Sequence, residues 1–339
     1  MNRLGIDGEG NSMTVLAVFT LLLRCCLGGS MLFAGVSQCL AQNWPNKSVR
    51  IIVPMAAGGG SDTVARLLSQ KLGDHYGQQF VVDNRGGGGG LIGIGMGVKA
   101  PPDGYTLMLI SGSVPATLAA HNVPNDPLGH LSGIIKVAYS PLVLVVHPAL
   151  PVKNTREFID FARARPGQLS FIVPGVGSLT HLATELFMRE SKIRMQPIAY
   201  KSTGLGMTEL LAGQTQFTMG GLQPFFSYIQ SGRLRALAMS TAKRWPLQPE
   251  VPTVSETIPG FEAESWFALV TPKGTPAEMI VTLNKDINQL LEQPETIKSF
   301  RQQGLVVSGG KPETVEQRMR QENERWIRII KEANIRIEE

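Results

Sequence analysis

Cysteine is scarce in this sequence of 339 residues and confined to one end, where Cys25, Cys26 and Cys39 are the only three. The chain beyond residue 39 therefore has no means of forming a disulfide, a thiolate zinc site or a cysteine nucleophile. Histidine is thin as well. Its five positions, 75, 121, 130, 147 and 181, are scattered without ligand spacing, so no structural metal is expected. Aromatic residues make up 6% of the chain and the net charge is a mild +5 with no basic block. Nucleic acid is not an expected partner, because phosphate binding needs clustered Lys and Arg with aromatic platforms. There is no internal repeat and no heptad pattern.

What is present begins with an apolar N-terminal segment. Met13 to Leu23 has the length of a secretory core, a weaker stretch follows from Leu27 to Val36, and Cys39-Leu40-Ala41 supplies small residues three and one before a break. This fits a signal peptide over 1–41 cleaved after Ala41 and hence a periplasmic location. The rival reading is a membrane anchor over 13–41. Arg24 splits that run and Gly28, Gly29 and Ser30 dilute its second half, which favours cleavage. Asp7 and Glu9 offset Arg3 ahead of Met13, so Met13 is an alternative start. A lipid-anchored Cys39 is disfavoured by Gln38, where a small residue is required.

Beyond the leader, strand-like and helix-like segments alternate, the pattern of α/β sheets. Val49–Val53 reads as a strand, and Ser61–Leu72 as a helix with Val64, Leu67, Leu68 and Leu72 on one face. A strand at Phe80–Val82, a helix near 91–99 and a strand at Tyr105–Ile110 follow. Next come a strand at Leu142–Val146, a helix over Thr155–Arg165 capped by Asn154, a strand at Leu169–Val173 and a helix over Leu179–Glu190. Shorter units follow at Pro197–Tyr200, Leu205–Ala212, Gln216–Met219, 224–231 and Arg235–Met239. After a proline-rich stretch, Trp266–Val270 is a strand, and helices over Pro276–Leu291 and Glu313–Lys331 close the chain. The strands at 142–146 and 266–270 bracket a self-contained series. That bracketing predicts an inserted lobe, with the chain crossing twice, and a cleft able to close by hinge motion.

Two glycine-rich loops and a third small-residue loop stand before helices. In VDNRGGGGGLIGIGMG, Gly88, Gly90 and Gly93 match the G-x-G-x-x-G spacing of a dinucleotide-binding turn. A dinucleotide unit also needs an acidic residue ending its next strand, and that strand here ends in Ser111-Gly112-Ser113. Cofactor binding is therefore not expected. Ala56-Ala57-Gly58-Gly59-Gly60-Ser61-Asp62 and Gly175-Val176-Gly177-Ser178 share another design, a small-residue loop at a helix N-terminus. Free N–H groups and the helix dipole make such an end receptive to an anion, carboxylate as readily as phosphate. Asp62 can either cap its own helix or bond an amine on a ligand. Ser178 and His181 lie three apart, but 176–180 reads VGSLT, so the nucleophile elbow is absent and Ser178 reads as a helix cap.

These residues carry a family resemblance. WPNKSVRIIVPMAAGGGSDTVARLLSQKL, VVDNRGGGGGLIG followed by APPDGYTLML, RARPGQLSF, GVGSLTHLATELF, AYKSTGLGMTELLAGQTQF, SGRLRALAMSTAKRWPLQPEVPTVSE and WFALVTPKGTP occur in family order from about Trp44 to Lys331. The chain resembles the Bug (TctC-like) extracytoplasmic solute-binding receptors of tripartite tricarboxylate transporters. The resemblance implies an α/β, two-lobed periplasmic-binding-protein fold (type II-like), with lobe 1 over 42–145 and 265–339 and lobe 2 over 146–264. It implies a monomeric receptor, not an enzyme. That receptor closes on a small carboxylate-type solute without a cofactor and hands it to membrane transporter subunits. Docking to a sensor kinase instead is an open alternative. Carried over residue by residue, the ligand would meet Met55, Ala57, Gly59, Asp62, Ser111, Gly112 and Ser113 from the first lobe. Gly175, Gly177, Ser178, His181 and Gly220 would meet it from the second. The chain departs from the family pattern at Met55, at Ala57, over Ala116 to Gly129, and at Gly220, where an acidic residue is usual. Loss of that acid disfavours an amino-acid ligand, whose ammonium needs a partner.

Overall fold

A computed structural model describes residues 44–124, 126–200 and 203–335. The expected leader lies outside the described residues. From Ser48 onward the chain forms a unit of its own, and the architecture below is that of this unit.

The chain opens with β1 (Val49–Val53), α1 (Gly60–Tyr76), β2 (Phe80–Asn84), α2 (Leu91–Val98), β3 (Thr106–Ser111) and α3 (Ser113–Ala120). β1 lies between β2 and β3, parallel to both. A 16-residue strand, β4 (Leu131–Val146), then leaves this region. A second α/β series follows: α4 (Thr155–Arg163), β5 (Ser170–Pro174), α5 (Leu179–Ser191), β6 (Gln196–Tyr200), α6 (Thr203–Leu211), β7 (Phe217–Gly221), α7 (Phe226–Gln230) and β8 (Arg235–Met239). The chain returns through β9 (Glu264–Pro272) and ends with α8 (Ala277–Glu292), α9 (Pro294–Arg301), β10 (Val306–Val307) and α10 (Pro312–Glu332).

The strand order β2-β1-β3-β9-β4-β7-β5-β6 describes one curled, mixed sheet with two halves. The antiparallel pairings all involve β4 or β9. Residues 131–141 of β4 pair with β9, whereas Leu142–Val146 pair with β7 and β8. The crossing from one half to the other therefore lies between Pro141 and Leu142. The return passes beside it. Ser240, buried to 1% exposure, accepts a bond from Leu142 N–H at 2.8 Å and donates to the Ala263 carbonyl, just before β9. Glu264, at the head of β9, lies within 3.6 Å of Lys136 and 3.7 Å of Arg318 on α10, adding charge contacts at the same level.

The first eleven residues of β4, and all of α3, go beyond the sequence reading. In β4 the pairing with β9 is interrupted by register shifts near Gly133 and Lys136, and Pro141 looks like a terminator in sequence. Gly133 is required by close packing, since a Cβ there would lie 2.5 Å from the Pro312 carbonyl oxygen. α3 (SVPATLAA) is buried on most sides and so shows no polar face.

Each half has its own apolar interior. Around β5 and β7, Phe158, Phe187 and Phe217 stack, with ring centroids 4.8 Å apart for Phe158 and Phe217. Their cluster also takes in Ala116 of α3 and Trp326 of α10, so the C-terminal helix reaches the interior of the inserted half. Around β3 and β9, Met108, Ile110, Trp266, Ala268 and Val270 form the other interior. Caps follow local chemistry. Asn154 accepts from Glu157 N–H at 2.9 Å, while Glu157 accepts from Lys153 N–H at 2.7 Å. Asn154→Ala is expected to cost about 1 kcal/mol, read as a lower urea midpoint at unchanged slope.

Candidate functional site

Four helix starts, those of α1, α3, α5 and α6, converge where the two halves of the sheet face each other. A cavity of about 60 Å³ is lined by Met55, Ala56, Gly59, Gly60 and Ser61 at the start of α1 and by Ser111 and Ser113 around the start of α3. From the inserted half come Pro174, Thr180 near the start of α5, Thr203, Gly221 and Gln223, and Ser265 and Phe267 of β9 complete it. None of these side chains is ionisable. The polar inventory is hydroxyls, one amide and the N–H groups of helix starts, all of which can donate to an anion. A carboxylate in such a place is stabilised by dipoles already fixed in direction.

The sequence-derived candidates divide by position. Met55, Gly59, Ser111 and Ser113 line this cavity. Asp62 is buried behind it, where its carboxylate accepts from Gly58 N–H at 3.1 Å and pairs with Arg66 at 3.0 Å. Asp62 thereby organises the first loop, and its charge is answered by Arg66. Gly112 packs against the Trp266 and Leu179 side chains, and its N–H donates to the Trp266 carbonyl at 3.0 Å. Ala57 lies on the exposed first loop beside the lining Ala56. Ser178 is fully buried and caps α5, accepting from His181 N–H at 3.4 Å. The His181 ring accepts from Gly177 N–H through Nδ1 at 3.1 Å, and its Nε2 lies 3.7 Å from Glu185. It thus turns into a separate groove shared with Glu185 and Met188. Gly220 lies within β7 rather than in a turn; a Cβ there would come within 2.6 Å of the Phe225 ring.

The lining residues outside the expected ligand set are Gly60, Ser61, Thr180, Thr203, Gly221, Gln223 and Ser265, of which Gly60 and Ser61 belong to a loop already singled out in the sequence. Most share one signal: they stand just past a strand or at the first residues of the next helix, on the ligand side of α/β sheets. Gln223 is the exception in kind. It occupies a short turn, Gln223–Phe225, after β7.

The glycine run of the first half borders a cavity of its own. Gly86–Gly90, with Met55, His121, Gly175, Val176, Ala199 and Tyr200, line a second cavity of about 450 Å³. Gly88, Gly89 and Gly90 have φ of +53°, +64° and +109°, a left-handed region that favours glycine. A Cβ at Gly89 would lie 2.5 Å from the Val176 carbonyl oxygen, so the run is bare where it meets the opposing loop. His121 Nε2 lies 3.3 Å from that same oxygen. Across the cleft, Tyr200 donates its hydroxyl to Glu209; burial and this bond push the phenol up to about 12, so it is neutral at physiological pH. Met55 stands in the walls of both cavities.

The loop's foot is held by charge. Asp83 of β2 accepts from Arg50 Nε at 2.6 Å and pairs with Arg85 Nε at 2.8 Å. Burial by itself would raise the Asp83 carboxyl, but the bonds and charges of Arg85 and Arg50 outweigh it and hold the group below its ordinary value. A lowered folded-state value means stabilisation that is complete above about pH 4 and is lost as pH falls through the depressed value. Both arginines are well exposed, so the effect is at most about 1 kcal/mol. Asp83→Asn should lower the melting temperature near neutral pH, and the gap from the parent should close toward about pH 3. A gap that persists undiminished in acid would refute the assignment.

Two facing α/β halves joined by crossing strands, with a cavity at their junction, define a two-lobed periplasmic-binding-protein fold of type II-like character. The family model described as tripartite tricarboxylate transporter family receptor, TctC, matches residues 64–335. The chain belongs to this family and is a solute-binding receptor of the Bug/TctC kind. Its relatives include BugT of Bordetella pertussis, 35% identical, with 88% of this chain and 92% of BugT covered. Among solved structures, an R. palustris protein captured with adipate aligns at TM-score 0.83 and 34% identity, covering 86% of this chain and 99% of that one. MatC from Rhodopseudomonas palustris, solved with bound malate, aligns at TM-score 0.79 and 25% identity, covering 85% and 100%. Among the described residues, no helix is long and apolar enough to cross a membrane, and no group of three or more His, Cys, Asp or Glu could hold a metal ion.

Proposed function

We propose that the protein works outside the cytoplasm, capturing a small organic anion by hinge closure and passing it unchanged to the membrane subunits of a tripartite tricarboxylate-type transporter. The observation that carries this reading is the uncharged cavity walled from both lobes by helix starts and hydroxyls. Ligand contacts made to both walls at once favour the closed state, which a membrane partner can distinguish from the open one. The adipate and malate held by two similar proteins support a carboxylate as the solute. The lobes divide as 42–145 with 265–339, and 146–264. The crossing at Pro141-Leu142 falls four residues before the first division, and the Ser240 clasp bonds Ala263, beside the second. The ligand site comprises Met55, Gly59, Ser111 and Ser113 with Thr180, Thr203 and Gln223. Ala57, Asp62, Gly112, Gly175, Gly177, Ser178 and His181 shape the surrounding loops, and Gly220 of β7 packs beneath, against the Phe225 ring.

Isothermal titration of the leader-free protein against dicarboxylates, tricarboxylates, aromatic acids and amino acids tests this. Heat of binding from one or more carboxylates, with the compound recovered intact, is the expected result. Flat titrations with every carboxylate, or turnover of a bound one, would sink the reading.

A further inference from the structure

One polar side chain in the cleft cavity is without any partner. Gln223 is 5% exposed and lines the cavity, and neither its Nε2 nor its Oε1 makes a hydrogen bond. Burying an amide with both donor and acceptor idle is unfavourable, and such groups in native proteins call for an explanation. The turn holds it there firmly. Phe225, two residues on, is fully buried, and Leu222 N–H, just before it, donates to the Pro141 carbonyl at 3.2 Å. Two glycines leave the amide its space. A Cβ at Gly60 would lie 2.5 Å from Gln223 Oε1, and one at Gly221 would lie 3.1 Å from it. Gln223, from the inserted lobe, therefore reaches across to the first turn of α1 in the other lobe.

The rest of the cavity asks for an anion, but Gln223 asks for something more. Helix N–H groups and serine hydroxyls can donate to a carboxylate. An amide presents a donor nitrogen, with two N–H groups, beside an acceptor oxygen, whichever way round it is placed. A fully ionised carboxylate can satisfy the donor and leaves the acceptor idle. An ammonium could satisfy the acceptor, but no carboxylate lines the cavity and Asp62 is already matched by Arg66. A hydroxyl does both, donating to Oε1 and accepting from Nε2.

We propose that Gln223 is a specificity-determining residue that reads a hydroxyl on the bound acid, so that the preferred solute is a small hydroxycarboxylate. This rests on the receptor reading given above. A site built to hydrogen-bond a hydroxyl discriminates strongly against the analogue without one, because its own buried groups are then left unpaired.

The test is titration of matched pairs: malate with succinate, 3-hydroxyglutarate with glutarate, lactate with propionate. The parent protein should favour the hydroxylated member of at least one pair by about tenfold or more. Gln223→Leu, of similar bulk, should bring that preference to within about threefold while the deoxy acid still binds. The empty variant should melt no lower than the parent, since it loses an unpaired buried amide; a structural role would lower it. Should the Leu variant not fold, Gln223→Met, unbranched like the parent side chain, carries the same comparison. A preference that survives the substitution, or no preference in any pair although carboxylates bind, overturns the role of Gln223 and leaves the receptor reading standing. Silence from every acid with the parent protein overturns both.

Discussion

Gly59→Asp is expected to make the empty protein melt higher and, in the same molecule, to abolish anion capture. Gly59 is the residue before α1, with extended φ and ψ of −102° and 175°, and no side chain caps the helix there. A Cβ at this position meets nothing within 4 Å, so the substitution is free of steric conflict. Asp is a favoured residue at a helix start, and its charge suits the dipole. Together these are worth about 0.5–1 kcal/mol, or roughly 1–4 °C in melting temperature. The same carboxylate then occupies the wall of a cavity that has no charge of its own. A second carboxylate brought to about 4 Å meets repulsion of about 4 kcal/mol at an intermediate effective dielectric constant, close to a thousandfold in affinity. Thermal melts and titration with whichever acid binds the parent check the two halves separately. Gly59→Asn is the control, supplying the cap without the charge and retaining most of the affinity. If the Asp variant binds within about threefold of the parent, the anion does not sit at the start of α1.

Gly204→Leu should separate folding from closure. Gly204 is in the first turn of α6 in the inserted lobe, and a Cβ on it would lie 2.8 Å from the carbonyl oxygen of Gly58 in the other lobe. The conflict is backbone against side chain, and the Gly58 loop is itself fixed by its N–H bond to Asp62. Within its own lobe the change is benign, since Leu is a better helix former than Gly by about 0.8 kcal/mol. The leucine would therefore hold the lobes apart without unfolding either. Affinity is expected to fall about 10–100-fold, because contacts to one wall are lost at a cost of roughly 1.4–2.8 kcal/mol. Small-angle scattering should show the loss of ligand-induced compaction, at a melting temperature of the empty protein no lower than the parent's. Ordinary compaction together with full affinity would show that closure does not bring Gly58 onto Gly204.

How much could be read from residues alone depended on whether a signal was local. α1, α4 and α5 announce themselves through apolar spacing and a polar face, and β5 and β8 through short apolar runs between breakers. The first part of β4 did not, because Gly133 and Pro141 look like terminators, and only its pairing with β9 and β10 makes it a strand. α3 was hidden for the opposite reason, being buried on so many sides that it lacks a polar face. The site shows the same division. The loops at 55–62 and 111–113 were legible because glycine and serine before a helix have a local meaning. The direction of the His181 ring was not, since a neighbour one turn on, Glu185, draws it into the outer groove. Nor was Gln223, whose role depends on Gly60, 163 positions earlier in the chain, leaving room for its amide.

The Ser240 clasp gives the hinge a mechanical character. One hydroxyl bonds both passages between the lobes, and the backbones on either side are bonded too, Ser240 N–H to the Leu142 carbonyl and Ala263 N–H to the Ser240 carbonyl, each at 2.9 Å. Passages riveted together in this way resist sliding past one another, which leaves a swing about a single axis as the soft motion. Opposing cavity walls then approach along one arc. The span of whatever lies between them is converted into an angle, and the angle is displayed far from the cleft, at the outer tips of both lobes. If the lobes close as proposed above, the molecule would act as a caliper, and a partner that never touches the solute would read its size from the gape.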